Sequence, residues 1–269
     1  MSELNEGQRL ALALACPISG GLLTYNSATA VDVSALTGFV NYKVLSVAAA
    51  TYTVNSNTKN LAGATITAWD ASSAYFVYFF DNAGTGEIRF EKRTGTGDGQ
   101  DPTFDSTLSY WKAVQVNGVA GDGAKARRIA KFWTNGSGQI HQFVTCRAGF
   151  RQREYMLTTR AANRVVNAGS TTTYTSITLT PYFTADDEFM LLGLQGERTG
   201  TTGQIHIFLS YDGTNDLLYL RQSDAVATSG INFLELGAPS RIKYTGALHY
   251  KNATSNSSYV DFLGFQQFV

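Results

Sequence analysis

The chain has 269 residues, of which 43% are hydrophobic and 12% aromatic, enough for one large domain or two small ones with real cores. Its 21 basic and 21 acidic side chains cancel, so nothing draws the surface toward DNA, RNA or anionic lipid at long range, and nucleic acid is excluded as a partner. No run approaches the roughly 18 apolar residues of a membrane-spanning helix, and no span is expected.

Only 16% of residues are charged, while Gly (26), Tyr (14) and Phe (16) are abundant. That is the balance of a turn-rich β-protein whose solvated faces carry Thr, Ser and Asn in place of charges. Weak self-repulsion also favours association, as in a component of an assembly. Cys16 and Cys146 leave either free thiols or one long-range disulfide, and do not form a secreted staple framework.

Residues 3–15 read as a short helix or a leading arm, with Glu3 and Glu6 at its start and Pro17 and Gly20-Gly21 at its end. The same glutamates and the shortness of LALALAC argue against an export signal. Beyond Pro17 the pattern is one of strands: LLTYNSATAVDVSAL, NYKVLSVAAATYTVNS and ATITAWD alternate apolar with polar residues between Gly and Asn turns. YFVYFFDNAGTGEIRFEKR predicts a hairpin with strands Tyr75–Phe80 and Glu87–Arg93 around a turn at Asp81–Gly86. Its first strand is aromatic on both faces and has to be covered twice, by a sheet and by either another subunit or the preceding segment.

Residues 94–107 are rich in breakers and read as an exposed loop, and SYWKAVQVNGV as a strand ending at Asn117-Gly118. Hairpins are predicted around Asn135-Gly136-Ser137-Gly138 and Asp212-Gly213, with further strands in EYMLTT, DEFMLLGLQGE, INFLEL, RIKYTGALHY and SYVDFLGFQQF. Without regular βαβ spacing, the expected fold is all-β, an antiparallel, jelly-roll-like β-sandwich. The expected division is an N-terminal arm or short helix over 1–20, a small β subdomain over 21–74 and a main sandwich over 75–269.

Chemical signatures are sparse. His141, His206 and His249 stand in separate strand patterns without companion ligands and do not make a metal site. Asp186-Asp187-Glu188 reads as a turn before a strand, and Asp98-Gly99-Gln100-Asp101 as at most a weak calcium loop. The Gly-rich run GTGTGDG lacks the helix that a phosphate cradle needs, and no Gly-x-Ser-x-Gly elbow occurs, so neither catalysis nor a cofactor is expected. The one concentration of charge lies between Lys125 and Arg164, with nine of the 21 basic residues. Arg127, Arg128, Lys131, Arg147, Arg151 and Arg153 are its candidate patch for an anionic partner, the plainer reading being outward-facing cations paired with Glu154, Asp186 and Asp187. Trp69, Trp111 and Trp133 are core residues or, alternatively, a sugar-binding platform.

The opening run GGLLTYNSATAVDVSALTGF, the aromatic strand at 75–80, AKARRIAKFWTNGSGQIHQF at 124–143, the IFLSYDG run and the closing SSYVDFLGFQQFV together resemble bacteriophage tail-fibre and related virion proteins. The matching positions are Arg127-Arg128-Ile129 and Thr134-Asn135-Gly136-Ser137-Gly138, while Ala130 and Lys131 replace the family's small Gly-Ser pair. The resemblance implies a non-enzymatic structural component, commonly trimeric, that contacts the host surface or joins a fibre to the particle. On that reading the protein is located in the virion after assembly in the host cytoplasm, with other virion proteins and host surface glycan as partners. The residues themselves add an interface: Tyr75, Tyr78, Phe80, Phe262, Phe265 and Phe268 exceed what one sandwich interior needs and are candidate subunit contacts. A carbohydrate-binding β-sandwich module is the alternative.

Overall fold

A computed structural model describes residues 18–148, 152–158, 164–177, 189–199, 205–215, 218–222, 231–235, 240–243, 248–252 and 257–268. The predicted helix or arm over 3–15 lies outside them. The described residues are all-β, with only short 3-10 turns at Gly97–Gly99 and Ala120–Lys125, and their strand pairs are antiparallel. Two compact units divide the chain, 1–155 with 267–269 and 156–266. The expected subdomain over 21–74 thus belongs to the same unit as the hairpin that follows it.

The first unit contains β1 (Ser19–Gly20), β2 (Leu23–Ser27), β3 (Ala30–Val33), β4 (Leu36–Val40), β5 (Lys43–Val47), β6 (Ala50–Thr53), β7 (Ala74–Asn82), β8 (Thr85–Lys92), β9 (Thr103–Asp105), β10 (Tyr110–Lys112), β11 (Ala126–Trp133) and β12 (Phe143–Ala148), with β13 (Gln152–Leu157) at its end. A five-stranded sheet of order β8-β7-β11-β10-β9 is its centre, beside three-stranded sheets β1-β4-β5 and β2-β3-β6. The aromatic hairpin forms as predicted, with longer strands and a tighter turn in which Ala83 and Gly84 both take positive φ (51° and 96°).

Every side chain of β7 from Ala74 to Asp81 is buried. On one face Tyr75 stacks on Phe132 at 5.5 Å, and Trp69, Phe90 and Tyr52 complete the cluster, so the layer above it comes from β6 and the chain before β7. On the other face Phe76, Tyr78 and Phe80 pack with Leu61, Ala113, Val116 and Ala126. The second cover of Tyr75, Tyr78 and Phe80 is therefore the chain itself, where a neighbouring subunit was one of the expected covers. These residues are at most 5% exposed without a partner: Trp69 and Phe132 pack against Tyr75, and Leu61, Ala113 and Val116 cover Tyr78 and Phe80.

Two other expectations change. ATITAWD is no strand: Ile66 is held by backbone bonds to Asn55 and Thr58, and Trp69 turns inward to donate its indole N–H to the Thr29 carbonyl at 3.2 Å. Residues 94–107 are not simply exposed, because Arg93 pairs with Asp101 at 2.6 Å and β9 adds to β10 as an edge strand.

The second unit contains β14 (Arg164–Gly169), β15 (Thr175–Ser176), β16 (Phe189–Thr199), β17 (Ile205–Ser210), β18 (Leu218–Gln222), β19 (Ile231–Glu235), β20 (Ser240–Lys243), β21 (His249–Asn252) and all but the last two residues of β22 (Ser257–Phe268). β22 lies between β14 and β16, β16 also pairs with β19 and β20, and a second sheet runs β15-β21-β17-β18. The sheets meet where Asn252 donates to the Gly169 carbonyl at 2.8 Å and Tyr250 lies against Gly169. A Cβ at Gly169 would stand 2.2 Å from the Tyr250 hydroxyl, so the close approach requires glycine.

At the end of β7, Asp81 is 2% exposed and accepts hydrogen bonds from Asn41 Nδ2 (2.6 Å), Lys43 Nζ (2.9 Å) and the Gly84 N–H (2.6 Å). Burial opposes its ionisation, but these donors outweigh burial and hold the carboxyl below its ordinary range. A carboxylate with a depressed folded pKa contributes stability above the unfolded value of about 3.9 and loses it as pH falls through the folded value. Asp81→Asn is expected to lower stability by about 1–3 kcal/mol at pH 7, with the gap to wild type closing on acidification below about pH 4. Urea unfolding at a series of pH values checks this, and a gap constant from pH 7 to below pH 4 contradicts it.

Candidate functional site

The basic run was the strongest charge signal in the sequence, and the structure turns it inward. Arg127, Arg128, Lys131 and Arg153 are 6%, 0%, 1% and 3% exposed, so they do not form a solvent-facing patch. The side chains of Arg147 and Arg151 lie outside the described residues. Strand β11 is buried on both faces, so alternation there selects between two interiors. Arg127 donates to the Phe39 carbonyl at 3.0 Å and lies over the Tyr110 ring, Arg128 lies over Trp111, and Lys131 Nζ is 5.3 Å from the Trp133 ring centre. Burial, reinforced by the charges of Arg128 and Arg93, holds the Lys131 ammonium well below the ordinary lysine range. Burial likewise pushes the Tyr78 phenol far up.

Arg153 is a clamp. Its guanidinium donates to the carbonyls of Gly20 (2.6 Å), Gly21 and Ile129 (2.9 Å), joining the beginning of the described chain to β11 and β13. The carbonyls are available because Gly20 and Gly21 take positive φ (78° and 66°), and a Cβ at Gly20 would overlap the Ala35 carbonyl at 1.8 Å. A planar fork of donors suits this arrangement, and an ammonium does not.

The other candidates are absorbed by architecture. Trp69, Trp111 and Trp133 are 5%, 6% and 1% exposed and build no open sugar platform. Asp98 accepts from Gln115 Nε2 (3.1 Å), the Asn117 N–H (2.8 Å) and the Gly118 N–H (3.0 Å), so N–H donors fill the carboxylate that a calcium loop would need. His141 lies in the first unit, with burial lowering its imidazole pKa, and His249 in the second. Among the described residues no group of three or more His, Cys, Asp or Glu is placed to hold a metal ion, and no helix is long and apolar enough to cross a membrane. Asp186, Asp187 and Glu188 lie outside the described residues, as do the side chains of Cys16, Cys146, His206, Phe262, Phe265 and Phe268. By backbone register Phe262 stands opposite Leu192 and Phe265 opposite Met190.

What sequence reasoning missed is a row across the second unit. Tyr174, Lys251 and Phe208 come from the segment entering β15, from β21 and from β17, with the Lys251 Nζ 4.1 Å from the Tyr174 ring centre and 4.8 Å from that of Phe208. A shallow cleft of about 500 Å³ in the first unit is lined by Thr24, Asp32, Ser34 and Thr51 among others. Its Asp32 already accepts from Asn26 and Thr51.

No protein-family model matches the sequence, and no curated protein is similar to it. Among solved structures the chain is similar to a Bacillus thuringiensis Cry1Da tryptic core variant, at 9% identity over 94% of this chain and 51% of that one, with a TM-score of 0.19. It is also similar to the VP2 protein of infectious bursal disease virus, as a mutant in T=1 particles (13% identity, 99% and 76% coverage, TM-score 0.26) and as a subviral particle (12%, 99% and 78%, 0.23). The chain spans about half the length of the toxin core. Likeness at this level assigns neither family nor function.

The clamp gives a direct expectation. Arg153→Lys keeps the charge but loses the fork to three carbonyls, and is expected to cost about 2–4 kcal/mol in denaturant unfolding. A loss below about 0.5 kcal/mol, the range of ordinary surface substitutions, contradicts the role.

Proposed function

We propose that the protein is a structural, non-catalytic virion component of a bacteriophage, part of the tail or fibre apparatus, serving anchoring or host-surface attachment. The observation that carries the reading is where the first unit's charge and aromatic surface go. Arg127 and Arg153 bind backbone carbonyls, Arg128 and Lys131 lie against tryptophans, and Asp98 and Asp81 hold turns. Side chains that could do chemistry are used to fix backbone, which suits a part selected for rigidity. The sequence resemblance to tail-fibre and related virion proteins points the same way, and so does a neutral chain that meets copies of itself without electrostatic cost.

In this proposal the chain assembles in the host cytoplasm as a cyclic oligomer, a trimer, beside other virion proteins. Phe262, Phe265 and Phe268 of β22 are its proposed subunit contacts. Tyr75, Tyr78 and Phe80 are not, being covered within their own unit. A carbohydrate-binding role is the second reading, favoured by the half-buried row Tyr174-Lys251-Phe208 and not by the buried tryptophans.

Electron cryo-microscopy of the intact particle tests the proposal. The expected result is density for this chain in threefold-symmetric copies at the tail or fibre. Absence of the chain from purified particles, with a monodisperse monomer in light scattering at micromolar concentration, overturns it.

A further inference from the structure

The chain has two Asn-Gly pairs, Asn117-Gly118 and Asn135-Gly136. In such a pair the backbone nitrogen of the glycine can attack the side-chain carbonyl carbon of the asparagine and close a five-membered succinimide ring, since glycine has no Cβ to obstruct the approach. Whether a folded chain permits the reaction depends on how the asparagine amide is held. Asn135 is held firmly: its Oδ1 accepts from the N–H groups of Ser137 (2.9 Å) and Gln139 (3.0 Å), and its Nδ2 donates to Gln139 Oε1 at 3.2 Å. Asn117 is exposed, and its side-chain amide makes no hydrogen bond among the described residues.

Asn117 and Gly118 are the central residues of a tight turn closed by Val116 and Val119, whose backbones exchange N–H···O bonds of 2.9 and 3.1 Å. Both take positive φ (50° and 74°), and a Cβ at Gly118 would meet nothing within 4 Å, so the space beside the glycine is open. The turn points its N–H groups at Asp98, whose carboxylate accepts from Gly118 at 3.0 Å through Oδ1 and from Asn117 at 2.8 Å through Oδ2. An N–H bond lies in the peptide plane, whereas the nitrogen attacks through the face of that plane. Asp98 therefore leaves the attacking face uncovered and stands where the proton has to go.

We propose that Asn117 is a self-modifying site, converted through a succinimide to aspartate and isoaspartate with Asp98 as the base. As the Gly118 nitrogen bonds to Asn117 Cγ, its proton passes to Asp98 Oδ1. The Cγ–Nδ2 bond then breaks, and the side-chain nitrogen takes up that proton and leaves as ammonia. Water opens the ring at either carbonyl, giving aspartate or an isoaspartate whose backbone runs through the side chain. The reaction changes its own surroundings. The imide nitrogen carries no hydrogen, so ring closure removes the Gly118 bond to Asp98, and although ring opening restores the N–H, the new carboxylate at position 117 repels that of Asp98. Asp98 sits in the 3-10 turn Gly97–Gly99 and ties it to this hairpin, through Gln115 as well as through the two backbone N–H groups. Conversion of Asn117 therefore loosens the loop from the hairpin.

Peptide mapping by mass spectrometry of the full chain aged in mildly alkaline buffer tests this, with the urea-unfolded chain, in which both pairs are equally free, as the reference. In the folded protein Asn117 is expected to convert at least about tenfold faster than Asn135, to a mixture of aspartate and isoaspartate, while in urea the two convert at similar rates. Asp98→Ser keeps an acceptor oxygen for the turn but has no basic group, and is expected to slow conversion of Asn117 about tenfold or more. In the converted protein the amides of residues 94–100 are expected to exchange faster with solvent. An Asn117 that persists in the folded chain while it converts in urea, an Asn135 that converts as fast, an Asp98→Ser chain that converts as fast as wild type, or unchanged amide exchange over 94–100 overturns the inference.

Discussion

The pairing of β7 with β11 is the constraint on which the first unit depends. Their register runs from Ala126 opposite Phe80 to Trp133 opposite Ala74, with one irregularity between Arg128 and Ala130, and both strands are buried on both faces. A pair buried twice needs two covers. One is the pair of rings Tyr52 and Trp69, packed on Phe90 and Phe132 of the sheet, and the other the apolar group of Leu61, Ala113 and Val116. The irregularity matters because it changes which side chains share a face. Arg128 stands with Tyr78, and Lys131 is brought into line with Phe76.

Placing three cations on such a strand is costly unless each is compensated. The fold compensates them with backbone carbonyls and ring faces. Arg127 reaches the Phe39 carbonyl, and from β13 Arg153 gathers carbonyls of Gly20, Gly21 and Ile129. The bonds to Phe39, Gly21 and Gly20 join segments far apart in the chain, with separations of 88 for Arg127 and 132 and 133 for Arg153, while the bond to Ile129 spans 24. They specify one arrangement of the small sheets against the central one. That rigidity links the energetics to the proposed role as a structural part.

Local features were legible in the sequence, and long-range ones were not. The hairpin Ala74–Lys92 follows from alternation and its Ala83-Gly84 turn, and the Asn135–Gly138 tip follows from turn chemistry, with Asn135 Oδ1 accepting from the Ser137 and Gln139 N–H groups. Lys125 to Lys131 misled because alternating charges usually mark a solvated face, and only the aromatics of β10 reveal an interior there. ATITAWD misled because it has a strand's alternation while Trp69 is bound elsewhere. The row in the second unit was invisible because its members come from three distant segments. The usable signal was Phe208 itself, an aromatic in the polar phase of a strand whose other phase is Ile207 and Leu209.

The central claim is that the β7–β11 frame is closed by its own chain. Amide hydrogen exchange across a dilution series measures this directly. The account predicts that β7 and β11 carry the slowest-exchanging amides of the first unit, with protection unchanged as the protein is diluted below the concentration at which its oligomers dissociate. Protection of these strands that collapses on dilution would show that a neighbouring subunit supplies the second cover, and would contradict it.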